Sequence, residues 1–226
     1  MLFGKQIGLL SHLSNDVVEE LLGSLPYKTL NSESILYFQE DFGSSLYILL
    51  RGNVSLYQHT HDFRKAIFEV LGAGDCFGES ALFKKPHQEF AQIVKGSAKI
   101  AICSRSAWQS WISEFPIIQN NLSEILSQRV FFLQKKLSSG TKLSDARLLE
   151  YIAYSIQKRG IQKGVEVWVP RILSHDDIAC FINSTRQTVS TILAEWKKQQ
   201  KLDYNRQFFI IKKAMLGEIA ALRYEF

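Results

Sequence analysis

The 226-residue chain has only three cysteines, Cys76, Cys103 and Cys180, which are far apart, odd in number and in no C-x-x-C pair. That pattern argues against a disulfide framework and a Cys-rich zinc or iron–sulfur site, and it suits reduced, buried thiols in a cytoplasm. No apolar run approaches the ~20 residues of a membrane span, so no membrane partner is expected. The opening MLFGKQIGLLSHLS lacks an A-x-A-like cleavage site, so no secretory signal is expected either. A Ser/His/Asp constellation, a G-x-x-x-x-G-K-[S/T] loop, H-E-x-x-H and paired catalytic carboxylates are all missing as motifs, which speaks against an enzyme. No cofactor or metal is implied.

What remains is ordinary globular composition, 46% hydrophobic and 22% charged, enough for one large domain or two small ones with a sizeable core. The net charge of +5 is unevenly spread. Residues 1–139 hold 13 Lys/Arg and 13 Asp/Glu, while residues 140–226 hold 14 and 9. The excess positive charge therefore lies wholly in the C-terminal part. It points to nucleic acid there, with a solvated basic surface as the alternative.

The periodicity changes along the chain. SNDVVEELLGS (14–24) predicts a short helix capped by Ser14 or Asn15. Short β-rich runs then recur: ILYF (35–38), LYILLRGNVSLYQ (46–58), AIFEVL (66–71), EFAQIVK (89–95) and AKIAIC (98–103). Their spacing predicts an antiparallel sandwich or barrel, with Gly52, Gly72, Gly74 and Gly78 available for positive-φ corners. Ser106–Glu114 predicts a helical turn with Trp108 and Trp111. A long helix is expected from Pro116, at its first position, to Ser138. Leu122, Leu126, Val130, Leu133 and Leu137 form one apolar stripe, flanked by Ile118, Ile125 and Phe132. An arc that wide fits packing against the β-domain and against a second subunit, or full burial within one domain. A helix over 142–158, a turn over 160–164 and a strand over 165–170 follow.

SHDDIACFINSTRQTVSTILAEWKK (174–198) predicts two helices joined by a tight turn at Asn183-Ser184. Ser174 with Asp177 suits the first N-cap and Thr185 the second. Val189, Ile192, Leu193 and Trp196 make one buried stripe. Arg186, Gln187, Ser190, Thr191, Ala194 and Lys198 are left on or beside the other face, which carries donors and acceptors and no carboxylate. Such a face fits a major groove rimmed by phosphates; two core helices joined by a turn are the alternative. KLDYNRQFFIIKK (201–213) predicts a hairpin with its tip at 203–207 and basic Arg206 on it, and the tail from Met215 to Leu222 predicts a helix.

Taken together, LYILLRGNVSLY, GAGDCFGESALF, the long helix and LSHDDIACFINSTRQTVSTIL with its hairpin resemble the CRP/FNR family of bacterial transcription regulators. The resemblance covers residues 13–213 and implies an α+β fold of two domains. These are an antiparallel, jelly-roll-like sensor β-roll of the cyclic-nucleotide-binding type (1–115), then a dimerisation helix (116–139) and a winged helix-turn-helix domain (140–226). It implies double-stranded DNA with a palindromic operator, a homodimer, RNA polymerase and a small-molecule effector as partners. On DNA it implies phosphate contacts at Ser174, His175 and Thr185 and base contacts at Arg186, Gln187, Ser190 and Thr191, with Arg206 on the wing. Many members carry Glu where Gln187 stands and Arg where Thr191 stands, so a different half-site is expected.

For the effector the resemblance implies a pocket at Phe77, Gly78, Glu79, Ser80, Phe90, Ala91, Leu133 and Gln134. Gly78-Glu79-Ser80 resembles the ribose-binding turn. The Arg-Ser or Arg-Thr pair for a cyclic phosphate is replaced by about Phe90-Ala91, and the adenine-touching hydroxyls fall near Leu133 and Gln134. An effector other than cyclic AMP is therefore expected. Phe77, Phe90, Phe131, Phe132 and Leu133 fit a small hydrophobic or aromatic effector, or simply a filled core. His59, His61 and His87 read as solvated loop histidines rather than metal or haem ligands, and Cys76 is a thiol beside the pocket corner. The alternative is an effector-independent DNA-binding regulator whose β-roll serves dimerisation and polymerase contact. A cyclic-nucleotide-binding regulatory subunit of a kinase would not need the helix-turn-helix.

Overall fold

The computed structural model describes residues 7–222; the first six residues of the segment read for a signal lie outside them. The chain forms two compact units, Met1–Phe131 and Phe132–Phe226. Among the described residues no helix is long and apolar enough to cross a membrane, and no cluster of three His, Cys, Asp or Glu side chains could hold a metal.

The first unit begins with a 3-10 turn at Gly8–Leu10 and helix α1 (Asn15–Gly23), whose Ser14 hydroxyl accepts from the Val17 amide. Its strands are β1 (Tyr27–Asn31), β2 (Ile35–Tyr37), β3 (Ser45–Arg51), β4 (Val54–His59), β5 (Lys65–Leu71), β6 (Cys76–Phe77), β7 (Phe90–Ile93) and β8 (Ser97–Ser104). They make two sheets, ordered β1-β8-β3-β6 and β2-β7-β4-β5, with every pair antiparallel. Leu49, Phe77 and Ile100 from one sheet and Val54, Leu71 and Ile93 from the other share one buried cluster.

Helices α2 (Arg105–Glu114) and α3 (Ile117–Ser138) follow. Trp108, Trp111, Ile118 and Leu122 pack with Leu46, Ile48 and Cys103 and with α1 in a second cluster. Truncating a buried leucine such as Leu46 to alanine costs about 2–5 kcal/mol. Buried Asn121 donates to the carbonyls of Leu9 (3.1 Å) and Ser11 (2.8 Å), pinning the N-terminal turn to α3.

Several expectations need correction. Strands β1 and β6 were not expected: β1 is an exposed edge strand without apolar alternation, and β6 has two residues. Pro116 lies in the turn before α3 rather than at its first position, between the bonds Ile118 N–H to Phe115 O and Gln119 N–H to Pro116 O. Gly72 is not among the positive-φ residues, whereas Gly52, Gly74 and Gly78 are.

The second unit contains the end of α3, a 3-10 turn at Ser139–Thr141 and α4 (Ser144–Arg159). Strands β9 (Ile161–Lys163) and β10 (Glu166–Pro170) come next, so the predicted turn over 160–164 is largely a strand, again at a sheet edge. Helices α5 (His175–Ile182) and α6 (Arg186–Lys198), strands β11 (Leu202–Tyr204) and β12 (Phe208–Ile211), and α7 (Lys213–Ala221) complete it. The sheet order is β11-β12-β10-β9. Leu148, Ile152, Val169, Ile178, Leu193, Leu202 and Phe209 are buried from these elements.

Candidate DNA-reading site

Local chemistry explains the α5–α6 pair. Ser174 Oγ accepts from the Asp177 amide at 3.0 Å, and Asp177 Oδ2 accepts from the Ser174 amide at 3.4 Å, closing a capping box. Asn183 ends α5 in the left-handed region, φ 52°, which Asn tolerates better than most residues. Thr185 Oγ1 then accepts from the Thr188 amide at 3.1 Å and starts α6. Val189, Ile192, Leu193 and Trp196 are buried under α6, so Arg186, Gln187 and Thr191 face outward and exposed.

Ser190 is half-buried, and its hydroxyl is hydrogen-bonded to His175 Nδ1 at 3.0 Å. That bond ties the start of α5 to the middle of α6. Burial, then Arg171 and Arg186, push the His175 pKa below its ordinary value, so the ring is neutral near pH 7. With Nε2 buried without a partner, the ring offers a phosphate neither charge nor an exposed nitrogen, and any contact falls to the His175 main-chain amide at the start of α5. Arg186 Nη1 lies 3.3 Å from Asp176 Oδ2, with both side chains well exposed. Such a pair is worth about 0–1 kcal/mol and releases the guanidinium readily.

The hairpin tip is shorter than expected, 205–207, because β11 extends to Tyr204. Asn205 Oδ1 accepts from the amides of Gln207 and Phe208, both at 2.8 Å, and leaves Arg206 exposed on the tip. Arg171 supports this wing: it donates to the Asn205 carbonyl and lies over the rings of Tyr204 (5.3 Å) and Phe209 (4.9 Å). Lys197 Nζ pairs with Asp203 at 2.7 Å and joins α6 to β11. Sequence reasoning missed both residues: the wing partners of Arg171 are more than thirty residues away, and Lys197 meets Asp203 only because the chain turns between α6 and β11.

Of the residues proposed for an effector, Phe77, Gly78, Glu79, Ser80, Phe90 and Ala91 lie in the first unit and Leu133 and Gln134 in the second. Phe77 is in the inter-sheet cluster beside Tyr37 and Tyr47. Gly78 has φ +78°, and a Cβ there would stand 2.7 Å from the Tyr47 ring, so this corner requires glycine. Phe90 stacks on Tyr57 at 4.9 Å, while Ala91 points into the core. Glu89, the residue before β7, also turns inward. Its carboxylate accepts from Tyr37 Oη at 2.8 Å, and its pKa is raised chiefly by burial, with Glu79 adding and Arg129 opposing. A carboxylate, not an arginine, thus faces inward next to the Phe90-Ala91 position. Phe132, Leu133 and Gln134 fall in the second unit, where Phe132 stacks on Tyr154 at 4.7 Å.

Glu79 meets Arg129 Nη1 at 3.3 Å, and Arg129 Nε meets Glu69 at 2.9 Å. Ser80 Oγ is 3.0 Å from His87 Nδ1. His87 is no solvated loop residue: it is fully buried and stacked on Tyr37 at 3.7 Å, and burial lowers its pKa. A Cβ at Gly43 would lie 2.2 Å from its Nε2, so the adjoining loop can close on the ring only as glycine. His59 and His61 are exposed. Cys76 is buried, and its thiol pKa is pushed up to about 12 by burial, which suppresses the reactive thiolate.

Residues 27–114 match the cyclic nucleotide-binding domain family, and residues 146–219 match the Crp-like helix-turn-helix domain family. A CRP-like cAMP-activated global transcriptional regulator of Mycobacterium tuberculosis is 26% identical over 156 residues, 68% of this chain and 69% of that protein. A CooA mutant from Carboxydothermus hydrogenoformans superposes with a TM-score of 0.75 at 21% identity, covering 95% of this chain and 93% of that one. FixK2 from Bradyrhizobium japonicum also gives 0.75, at 16% identity, covering 86% and 96%. With a two-sheet roll, a 22-residue helix and a capped helix-turn-helix with its wing in this order, the chain belongs to the CRP/FNR family of DNA-binding transcription regulators.

Proposed function

We propose that the protein acts as a homodimer on a two-fold operator. Arg186, Gln187, Ser190 and Thr191 read base edges, while Ser174, His175, Thr185 and Arg206 contact the phosphate backbone. The carrying observation is the outward face of α6, which presents Arg186, Gln187 and Thr191 above a fully buried apolar stripe. Arg suits guanine O6/N7, and Gln suits adenine N6/N7. The dimer reading rests on α3, where Val130, Phe131, Leu133 and Leu137 remain exposed, Leu137 at 84%. Apolar residues at this spacing suit a paired helix.

The signal that switches the protein is, in this reading, not cyclic AMP, although the mycobacterial relative is named as cAMP-activated. In the roll, Glu69, Glu79 and Glu89 surround the single guanidinium of Arg129. A cyclic phosphate would bring a further negative charge to a guanidinium already shared by carboxylates, which is costly when buried.

Selection of binding sites from random DNA tests both parts. The purified chain should enrich a two-fold sequence, Gln187→Glu should change its half-site, and cAMP at millimolar concentration should leave affinity unchanged. An unchanged half-site overturns the assignment of α6, and tightening by cAMP overturns the effector reading.

A further inference from the structure

Within the second unit, the end of α3, α4 and the end of α5 enclose a cavity of about 250 Å3. For scale, an engineered apolar cavity of about 150 Å3 takes up benzene. We propose that this cavity binds a small aromatic carboxylate. Three stacked rings supply its apolar wall: Phe132 on Tyr154 at 4.7 Å, and Tyr154 on Phe181 at 5.8 Å. Exposed Leu137 also lines the cavity, so it reaches the surface.

The charges decide the class of ligand. Lys136 lines the cavity with its Nζ 3.6 Å above the Phe181 ring, and Arg147 lines it from α4. Among the described residues Arg147 has no carboxylate partner. Its guanidinium donates from Nη2 to Ser144 Oγ at 3.2 Å, and its Nε is buried with no hydrogen-bond partner. Glu150, the one acid in the lining, is already bound to Lys142 Nζ at 2.5 Å. A neutral aromatic would offer the Arg147 guanidinium no carboxylate, and a cation would be repelled. A flat ring with a carboxylate satisfies both surfaces at once. The ligand would lie against Ile182 and Asn183, where α5 turns toward α6. The inference stands apart from the operator reading, since binding is measured without DNA.

The test is titration calorimetry of the full chain with 2-naphthoate and with its neutral counterpart 2-naphthamide. The carboxylate should bind at least about tenfold more tightly, the scale of one charge-assisted hydrogen bond. Lys136→Gln/Arg147→Gln should remove that preference, and Lys136→Gln/Arg147→Lys should restore part of it. Should the double variant fail to fold, amide shift mapping on the wild type decides. Shifts confined to 132–154 and 178–186 support the site. Equal affinity for the two compounds, no binding of naphthoate, or shifts centred in the β-roll overturn it.

Discussion

Replacing Arg129 by glutamine should cost the first unit about 3–5 kcal/mol of stability. Arg129 is 13% exposed, Glu69 12% and Glu79 29%, with contacts of 2.9 and 3.3 Å and a further bond from Nη2 to the Cys76 carbonyl. At an effective dielectric of about 20, each ion pair contributes about 4 kcal/mol of attraction, against a desolvation penalty of several kcal/mol per ion. The intact triad is therefore near break-even. Arg129→Gln removes the attraction and leaves Glu69 charged and buried, a loss of about 3–5 kcal/mol. Glu79→Gln should cost less, because Glu79 is the more exposed partner. The sign with pH follows. In the variant Glu69 is left buried without its cation, so the deficit should shrink on acidification, when protonation removes the unpaired charge. Amide hydrogen exchange over β5 and over 76–83 reads the loss locally, and urea unfolding reads it globally. The triple replacement Arg129→Met, Glu69→Leu, Glu79→Leu should recover most of it. A deficit below about 1 kcal/mol, or one constant with pH, refutes the reasoning.

Three further outcomes follow from the same geometry. His87 and His175 both fold with lowered pKa values, so the unfolded chain takes up protons first, near pH 6.5; stability should be complete above that pH and fall below it, and His87→Phe should flatten the fall in urea midpoint. A rise in wild-type stability on acidification contradicts this. Gly78→Ala forces a left-handed alanine into the Tyr47 ring and should cost about 1–3 kcal/mol, measured by thermal unfolding; no change in Tm contradicts it. Cys76, with its thiol pKa pushed up to about 12, should resist iodoacetamide in the folded protein and react fully in urea, as followed by mass spectrometry.

The DNA-reading half was the most legible because its determinants are local. Ser174 with Asp177 and Thr185 lie within three residues of the bonds they make, and the Val189-to-Trp196 stripe shows in the helical period itself. The strands that escaped, Tyr27–Asn31, Cys76–Phe77 and Ile161–Lys163, are short or sit at sheet edges, where pairing rather than an apolar pattern creates them. The β-roll interior was least legible. His87 is held by Tyr37, fifty positions away, and Glu89 by the same residue. Strand alternation could have flagged Glu89, but only tertiary contacts reveal that it faces Glu79 and Arg129. Arg171, clamped on the wing, likewise meets Tyr204, Asn205 and Phe209, more than thirty residues downstream.

The central claim, that the exposed face of α6 reads bases, is tested most directly by affinities for a selected operator and its single-base-pair variants, with wild type and Gln187→Ala. One base pair per half-site should cost the wild type about 1–3 kcal/mol and cost the variant nothing, while every other position keeps its effect. Uniform weakening of Gln187→Ala on all sequences, with its base preferences intact, contradicts the claim.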